Sequence, residues 1–593
     1  MSYLFINPVN FVVENAPLHS IPLLMGILKD NNIEVSNLNL NSELLKNLKK
    51  PDFISDFCNR FDNINKSDSD VLINEFVSRA QKTYPKGAVY ELLKFAPVSL
   101  KILKDKNLYY NLSLSHYAYM NLHKLFSPLS FYYSQILHLL IPDCETCRSE
   151  SEVRDFSVNI NLLDTFFASE LNILRPFIDL KVKENLTEEV ECVGITINNP
   201  IQFVTGLYIG RYLKQNYRCH VNIGGSFFNE YYECLVNLGE FFGKYFDSIS
   251  VKNNTQTAVD IIKYLRGEID ISSVPNILYY DGEVRFNSGN NTFNYNKLPY
   301  IDLGEISSDD YSIPELVIPI QASTSCYWRK CIFCDCSANE GGYTVKSISR
   351  LVDEIENLKN KYNSKYFYFW DNALHPKYLD KLADELEKRK IEIVFSIYAR
   401  FEEEFDEKLL KKLRRAGLLH VCWGLDSASK RVIEYINKGI DLKNAERILK
   451  AANKLNIYSK VYLIFGHPTE TLEEIRESVN FVNKNSKYIG DVIANDKVYF
   501  LKTALLETNR DYYKSMIRTK VSDRDKMIKD IKKYCFGSII LTFSPTCLLY
   551  LAKFRVKTIA FRMGIFHTLQ KYSVFRNIIK SLFELSYKKA DKK

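Results

Sequence analysis

From residue 346 to residue 500 helical and extended patterns alternate with a regular beat, and no other feature restricts the fold as strongly. SISRLVDEIENLKNKY, PKYLDKLADELEKR, DEKLLKKLRRAG, LKNAERILKAANKLN and LEEIRESVNFVNKN repeat apolar residues at three- and four-residue intervals. Between them, KYFYFWD, IEIVFSIYAR, LHVCWGLDS, YSKVYLIFG and DKVYFL are short runs rich in aromatic and β-branched residues, the pattern of buried parallel strands. Strands joined by helices pair in parallel through crossovers of one hand. With the apolar run LVIPIQAS (316–323) as the first strand, residues 306–505 are predicted to form a partial (βα)6 barrel of TIM type. Functional groups in such a barrel stand at the carboxyl ends of its strands.

The loop after the first strand, STSCYWRKCIFCDCSANEGG, carries Cys326, Cys331 and Cys334, with four and then two residues between them. Three thiolates can converge on one small inorganic site. An iron–sulfur cube held by four cysteines is coordinatively complete, whereas one held by three leaves an iron open to a further ligand. Structural zinc is the alternative and needs a fourth thiolate or imidazole, for which Cys336 is the only nearby candidate. Polar residues close the later strands: Asp371 and Asn372, Arg400, Asp426 with Ser427, and Gly466 with His467. Each alone could be a loop cap or a surface charge. Their recurrence on successive strand ends places a ring of them around the cysteine loop.

CYWRKCIFC, with Phe333 just before the last cysteine, resembles the signature loop of radical S-adenosylmethionine (radical SAM) enzymes, in a variant with four rather than three residues between the first two cysteines. The resemblance implies that Cys326, Cys331 and Cys334 hold a 4Fe-4S cluster whose open iron binds the amine and carboxylate of SAM. It also implies that an electron from the cluster cleaves SAM to a 5′-deoxyadenosyl radical. SAM contacts are implied at Phe333, at Asp371 and Asn372 toward the amine, and at Arg400 toward the carboxylate, a geometry that suits a guanidinium. Asp426 and Ser427 in WGLDS match a stretch whose acid meets the ribose, Asp426 being one methylene shorter than the usual glutamate. Gly466 in IFGHPTET matches the segment against the adenine.

Upstream, SYLFINPV (2–9), the helical PLHSIPLLMGILKDNN (17–32) and IEVSNLNLN (33–41) open a strand–helix–strand pattern. It resumes with VECVGITIN (190–198), a helix over 200–215 and CHVNIGGSFF (219–228). These predict a doubly wound parallel sheet over residues 1–305 that binds ligands at the carboxyl ends of its strands. Residues 43–185 interrupt it as a helical insertion whose tyrosines and leucines read as core, and whose Cys144 and Cys147 lack a matching pair. PNILYYDGEVRF reads as a hairpin turning at Asp281-Gly282. Gly224 and Gly225 directly after a strand suit either a turn or close backbone approach to a ligand.

The order of these elements resembles the cobalamin-binding, Rossmann-like domain that precedes the barrel in one branch of radical SAM enzymes. That implies cobalamin over the strand ends, with Asn7, Asn198, Gln202, Gly224, Gly225 and Ser226 in the matching loops. No Asp-x-His-x-x-Gly motif occurs, so no lower histidine ligand to cobalt is expected, and His19 and His220 read as ordinary polar residues. The acidic run usual after the next strand is replaced by VKNNTQTA (251–258). A similar helical insertion occurs in enzymes that mature ribosomal peptides, which points to a peptide or small-molecule substrate.

At 593 residues with 46% hydrophobic composition the chain can bury several cores. Thirteen cysteines and no signal peptide point to a reducing cytoplasm. Residues 506–593 read as a basic helical C-terminal region. Residues 551–593 hold eleven Lys and Arg against Glu584 and Asp591, so this tail carries +9 and the rest of the chain sums to −1. Such a charge run is either solvated or an anion-binding surface; contact with a membrane surface stays open and nucleic acid is not expected. The apolar stretch 536–552 is short for a membrane span and is broken by Ser544 and Pro545. The expected activity is cobalamin-dependent radical SAM methylation of an unactivated carbon, with a flavodoxin or ferredoxin as electron donor and no catalytic side chain assigned. The alternatives are a radical SAM enzyme that rearranges or cross-links a peptide beside an empty cobalamin-like domain, and a non-catalytic metal protein associated with nucleic acid.

Overall fold

A computed structural model of the chain describes residues 2–63, 78, 82, 87–140, 160–231, 238–252, 255–289, 294–334, 336, 342–467 and 469–495. The predicted basic helices of 506–593, Cys144, Cys147 and the strand DKVYFL lie outside them.

The first sheet contains β1 (Ser2–Asn7), β2 (Glu34–Asn39), β3 (Val190–Thr196), β4 (His220–Gly224), β5 (Ser248–Ser250), β6 (Ile277–Tyr280) and β7 (Val284–Asn287), in the order β2-β1-β3-β4-β5-β6-β7. The first five are parallel and the last two form the antiparallel hairpin expected at Asp281-Gly282. Every residue of β1 is buried, which is why SYLFIN reads as continuous rather than alternating. The strand order reverses between β1 and β3. Their carboxyl ends therefore flank a switch point, where an open sheet of this kind leaves a crevice.

Between β2 and β3 the chain is helical in its described parts, with a long helix at Leu112–Leu140. Three of its four tyrosines are core, as their spacing suggested: Tyr119, Tyr132 and Tyr133 are at most 2% exposed, and Tyr117 is half-buried against the same core. Each of the three spends its hydroxyl on a distant segment: Tyr119 donates to Val13 O (3.1 Å), Tyr132 to Leu171 O (2.7 Å) and Tyr133 to Asn172 Oδ1 (3.0 Å). Tyr119 thereby ties the insertion to the loop after β1, while Tyr132 and Tyr133 brace the insertion internally.

The second sheet holds β8 (Ile318–Ile320), β9 (Tyr366–Phe369), β10 (Val394–Arg400), β11 (Leu418–Asp426), β12 (Tyr458–Ile464) and β13 (Asp491–Asn495), all parallel, in the order β13-β12-β11-β10-β9-β8. This is the predicted barrel, and its sixth described strand is DVIAN, directly before the expected DKVYFL. Asp491 makes DVIAN look polar in sequence, yet it is fully buried opposite Lys460 of β12, 3.8 Å away and equally buried. The outer helices bury apolar stripes at helical spacing, such as Leu351, Val352, Ile355 and Leu358 of Ile348–Lys361, which Ser347 caps at the Arg350 N–H. On β11, Trp423 stacks on Phe401 (5.0 Å) and meets Phe405 edge-on (5.2 Å), pairs worth roughly 0.5–1.5 kcal/mol each beyond their burial.

One buried cluster runs through both sheets. Polar contacts pin the junction: Asp302 pairs with Lys29 (2.9 Å) and Lys361 (3.0 Å), and Ile301 N–H donates to Glu354 (3.1 Å). Ser312 N–H donates to Glu14 O (2.9 Å), placing the loop after β1 against the barrel. No described helix is long and apolar enough to cross a membrane.

Candidate active site at the cysteine loop

The cysteine loop is rooted by Asp371, two residues beyond β9. Its carboxylate accepts from Ala322 N–H (3.1 Å), Ser323 N–H (2.6 Å) and Ser323 Oγ (2.6 Å), at the point where the chain leaves β8. Burial pushes the carboxyl up to about 6, against the lowering pull of Ser323, Ala322 and Lys346. Asn372 donates to Cys336 Sγ (3.1 Å), so Cys336 is held against the second strand end.

Arg400 ends β10 inside the site, 3% exposed. Its Nε donates to Glu402 (2.7 Å), its Nη2 to Lys438 O (2.6 Å), and its Nη1 lies 3.9 Å from Cys331 Sγ. Lys438 Nζ forms a short ion pair with Asp426, the side chains being 10% and 7% exposed. Asp426 sits at φ +60 where the β11 register shifts, which turns its carboxylate toward Lys438. Burial raises the Cys331 thiol, and Lys438 and then Arg400 draw it back toward the thiolate. Sequence reasoning missed Lys438, which lies in a helix-to-helix connection rather than on a strand end. The only cue was the Gly439 that follows it.

Phe333 meets His467 edge-on at 5.5 Å. His467 is 3% exposed, and neither ring nitrogen has a partner among the described residues; burial lowers it to about 4. Gly466 N–H donates to Glu470 (2.6 Å). Ser427 faces the helical layer, 3.3 Å from Ser478 of Leu472–Lys484. Of the strand-end residues, Asp371, Asn372, Arg400 and Asp426 thus converge on the cysteine loop, Gly466 borders it through His467, and Ser427 turns outward.

Cys331 is buried, and Cys326 and Cys334 are half-buried at the rim. Cys334 N–H donates to Cys331 O (3.2 Å), and Cys326 bridges to Ala373. Among the described residues no three His, Cys, Asp or Glu side chains stand in metal-holding geometry. The donor chemistry nonetheless fits an iron–sulfur cluster: three thiols in one loop, beside two cations that favour thiolate. A tetrahedral zinc would need Cys336 as a fourth ligand, and Cys336 stands against Asn372 at the second strand end.

At the switch point of the first sheet, Gln202 Nε2 donates to Asn7 Oδ1 (2.9 Å) and Pro8 O (3.0 Å), and its Oε1 accepts from Asn198 N–H (2.9 Å). Asn198 Oδ1 accepts from Ser226 N–H (3.2 Å), bringing the β3 and β4 loops together. Gly225 has φ +125, and a Cβ there would lie 2.1 Å from Ile197 O, so glycine is demanded by a backbone crossing. A Cβ on Gly224 would meet Ser250 Cβ at 3.2 Å. His220 is ordinary, bonded to Ser248 Oγ at 2.8 Å, and His19 is buried. The loops present amide and hydroxyl groups, a donor set that fits the amide fringe of a corrin ring.

With this geometry in hand, comparison with known proteins is decisive for the barrel: the radical SAM superfamily pattern matches residues 320–482. These residues form a radical SAM domain. Alignments to curated relatives centre on a similar length of chain. An uncharacterised methyltransferase of Pyrococcus horikoshii is 28% identical over 168 residues, 28% of this chain and 36% of its own. The anaerobic magnesium-protoporphyrin IX monomethyl ester cyclase of Rubrivivax gelatinosus is 28% identical over 25% of this chain and 27% of its own. The bacteriochlorophyllide d C-8(2)-methyltransferase of Chlorobaculum tepidum is 30% identical over 28% and 39%. The chain thus spans well under half the length of the curated relatives it matches. Among solved structures, the cobalamin-dependent SAM radical enzyme OxsB superposes with a TM-score of 0.51 at 14% identity, covering 93% of this chain and 61% of OxsB. That likeness extends the shared fold beyond the radical SAM domain to the first sheet.

Proposed function

We propose that the chain is a cobalamin-dependent radical SAM enzyme that methylates an unactivated carbon of a peptide or small-molecule substrate. The observation that carries this reading is the cysteine loop at the carboxyl end of β8, inside a radical SAM domain and next to a first sheet of the OxsB type. In this proposal residues 1–305 hold the corrinoid, 306–505 hold the cluster and SAM, and 506–593 serve the substrate side. Bound there, the cluster with SAM supplies a 5′-deoxyadenosyl radical and the corrinoid a transferable methyl group.

The chain's own residues prepare the site. Cys326, Cys331 and Cys334 are the cluster ligands. Arg400 and Lys438 hold positive charge beside Cys331 and offset the negative charge of a thiolate-bound cluster. Asp371 fixes the loop's root rather than standing free for an amine, so contact with SAM at this strand end falls to Asn372, with Phe333 in the cysteine loop and the Gly466 backbone beyond β12 as further contacts. Asn7, Asn198, Gln202, Gly224, Gly225 and Ser226 shape the edge against a corrin. A flavodoxin or ferredoxin is the fitting one-electron partner. A reducing cytoplasm is the fitting compartment for a thiolate-held cluster.

The relatives that match about a quarter of the chain are named both as methyltransferases and as a cyclase, so the likeness supports radical generation more than the outcome. A second reading, rearrangement or cross-linking with an empty first sheet, is supported by the cyclase named among the relatives. Anaerobic protein reconstituted with iron, sulfide and hydroxocobalamin separates them. The proposal expects bound corrinoid and transfer of a labelled methyl group from SAM to product. Tight cluster binding with no corrinoid uptake would select the second reading.

A further inference from the structure

We propose that residues 436–439, with Trp328 seated on them, form a clamp that sets the position of Cys331 in the wide cysteine loop. Trp328 is one of the four residues between Cys326 and Cys331. Its Nε1–H donates to Asn437 O (2.9 Å) and the Arg400 guanidinium lies 4.2 Å from the ring centroid. Lys330 Nζ approaches the ring to 4.8 Å. The ring also presses on Gly439, where a Cβ would lie 2.2 Å from Cζ2 and 2.5 Å from Cη2.

The clamp follows from how a short helix ends. Lys430–Tyr435 closes with Asn437 N–H on Glu434 O (3.1 Å) and Lys438 N–H on Ile433 O (3.0 Å), and Asn437 takes φ +53. That is a Schellman ending with a left-handed residue, and it turns the following carbonyls off the helix axis. Three consecutive carbonyls then face the cysteine loop and its arginine. Ile436 O accepts from Ile332 N–H (3.1 Å), Asn437 O from Trp328 and Lys438 O from Arg400 Nη2 (2.6 Å). Ile332 follows Cys331 directly, so the loop is gripped on both sides of that cysteine. Gly439 is required twice, by its φ of +65 and by the ring against it. Trp328 is thus a positioning residue that acts on Cys331 through the turn. The inference rests on the proposed cluster site for its purpose, though not for its geometry.

The test is carbamidomethylation of the metal-free full chain by iodoacetamide, read residue by residue, for wild type, Trp328→Ala, Trp328→Phe and Gly439→Ala. Reaction at buried Cys331 requires local opening. Losing a hydrogen bond and a stacked cation is expected to speed it about tenfold in Trp328→Ala, with a like increase in Gly439→Ala. Cys58 and Cys192, buried elsewhere, should react at wild-type rates. Trp328→Phe keeps the ring without its donor and should fall between. Unchanged rates at Cys331, or equal acceleration at all three cysteines, would overturn the clamp. After reconstitution, Trp328→Ala is expected to alter the paramagnetic resonance of the reduced cluster. A wild type that takes up no cluster yet shows the predicted alkylation pattern would refute the proposed function and leave the clamp standing.

Discussion

Lys438 and Asp426 meet inside the barrel with little of either side chain exposed. Removing one partner strands a buried charge, so Lys438→Met is expected to cost about 3–5 kcal/mol in chemical denaturation, whereas Lys438→Met with Asp426→Leu recovers most of it. Equal losses in the single and double variants would contradict the pair. Asp371 gives a pH signature. Its folded value is raised from 3.8 to about 6, so the folded chain keeps a proton that the unfolded chain has released. Its contribution is therefore full below about pH 4 and falls as pH rises to about 6. The stability difference between wild type and Asp371→Asn should shrink across that window and level off above it; parallel curves would refute the assignment. Asp371 was legible as a strand-end acid, but its partners Ala322 and Ser323, 49 and 48 residues away, were not. Lys438 was illegible because nothing in NKG distinguishes a helix end from a site. His467 is legible only as a histidine after a strand; its burial with both nitrogens unmatched comes from packing.

At the scale of elements, close approach of backbones sets the tolerances. Helix Pro200–Asn216 lies so near the segment before β5 that a Cβ on Gly210 would stand 2.0 Å from Tyr245 O. Gly210→Ala is expected to destabilise by about 1–3 kcal/mol, since backbone must move to admit one methyl. A denaturation midpoint equal to wild type would show that the helix shifts freely. The alternation of helix and strand was readable because buried parallel strands are short apolar runs and their covering helices are amphipathic. The last strand failed that test because the Lys460–Asp491 pair puts charge where an apolar residue is expected. Predicted strands also overran their ladders, as at 391–400, where pairing begins only at Val394.

For the whole molecule, the sequence pattern supplied two α/β units and their order, while the junction came from single residues scattered through the chain. Asp302 binds Lys29 and Lys361, and Glu354 accepts from Ile301 N–H while pairing with Lys346. These contacts tie helix Ser20–Asp30 and the 301–302 segment to the barrel helix Ile348–Lys361, while Ser312 N–H on Glu14 O holds the loop after β1 against the segment that leads into β8. The most direct measurement is anaerobic reconstitution with iron and sulfide followed by assay of 5′-deoxyadenosine from SAM and a low-potential reductant, with Cys331→Ala as the control. One cluster per chain and deoxyadenosine that vanishes in the control are predicted. Zinc in place of iron, or equal deoxyadenosine from the control, would contradict the claim that the cysteine loop is the seat of the chemistry.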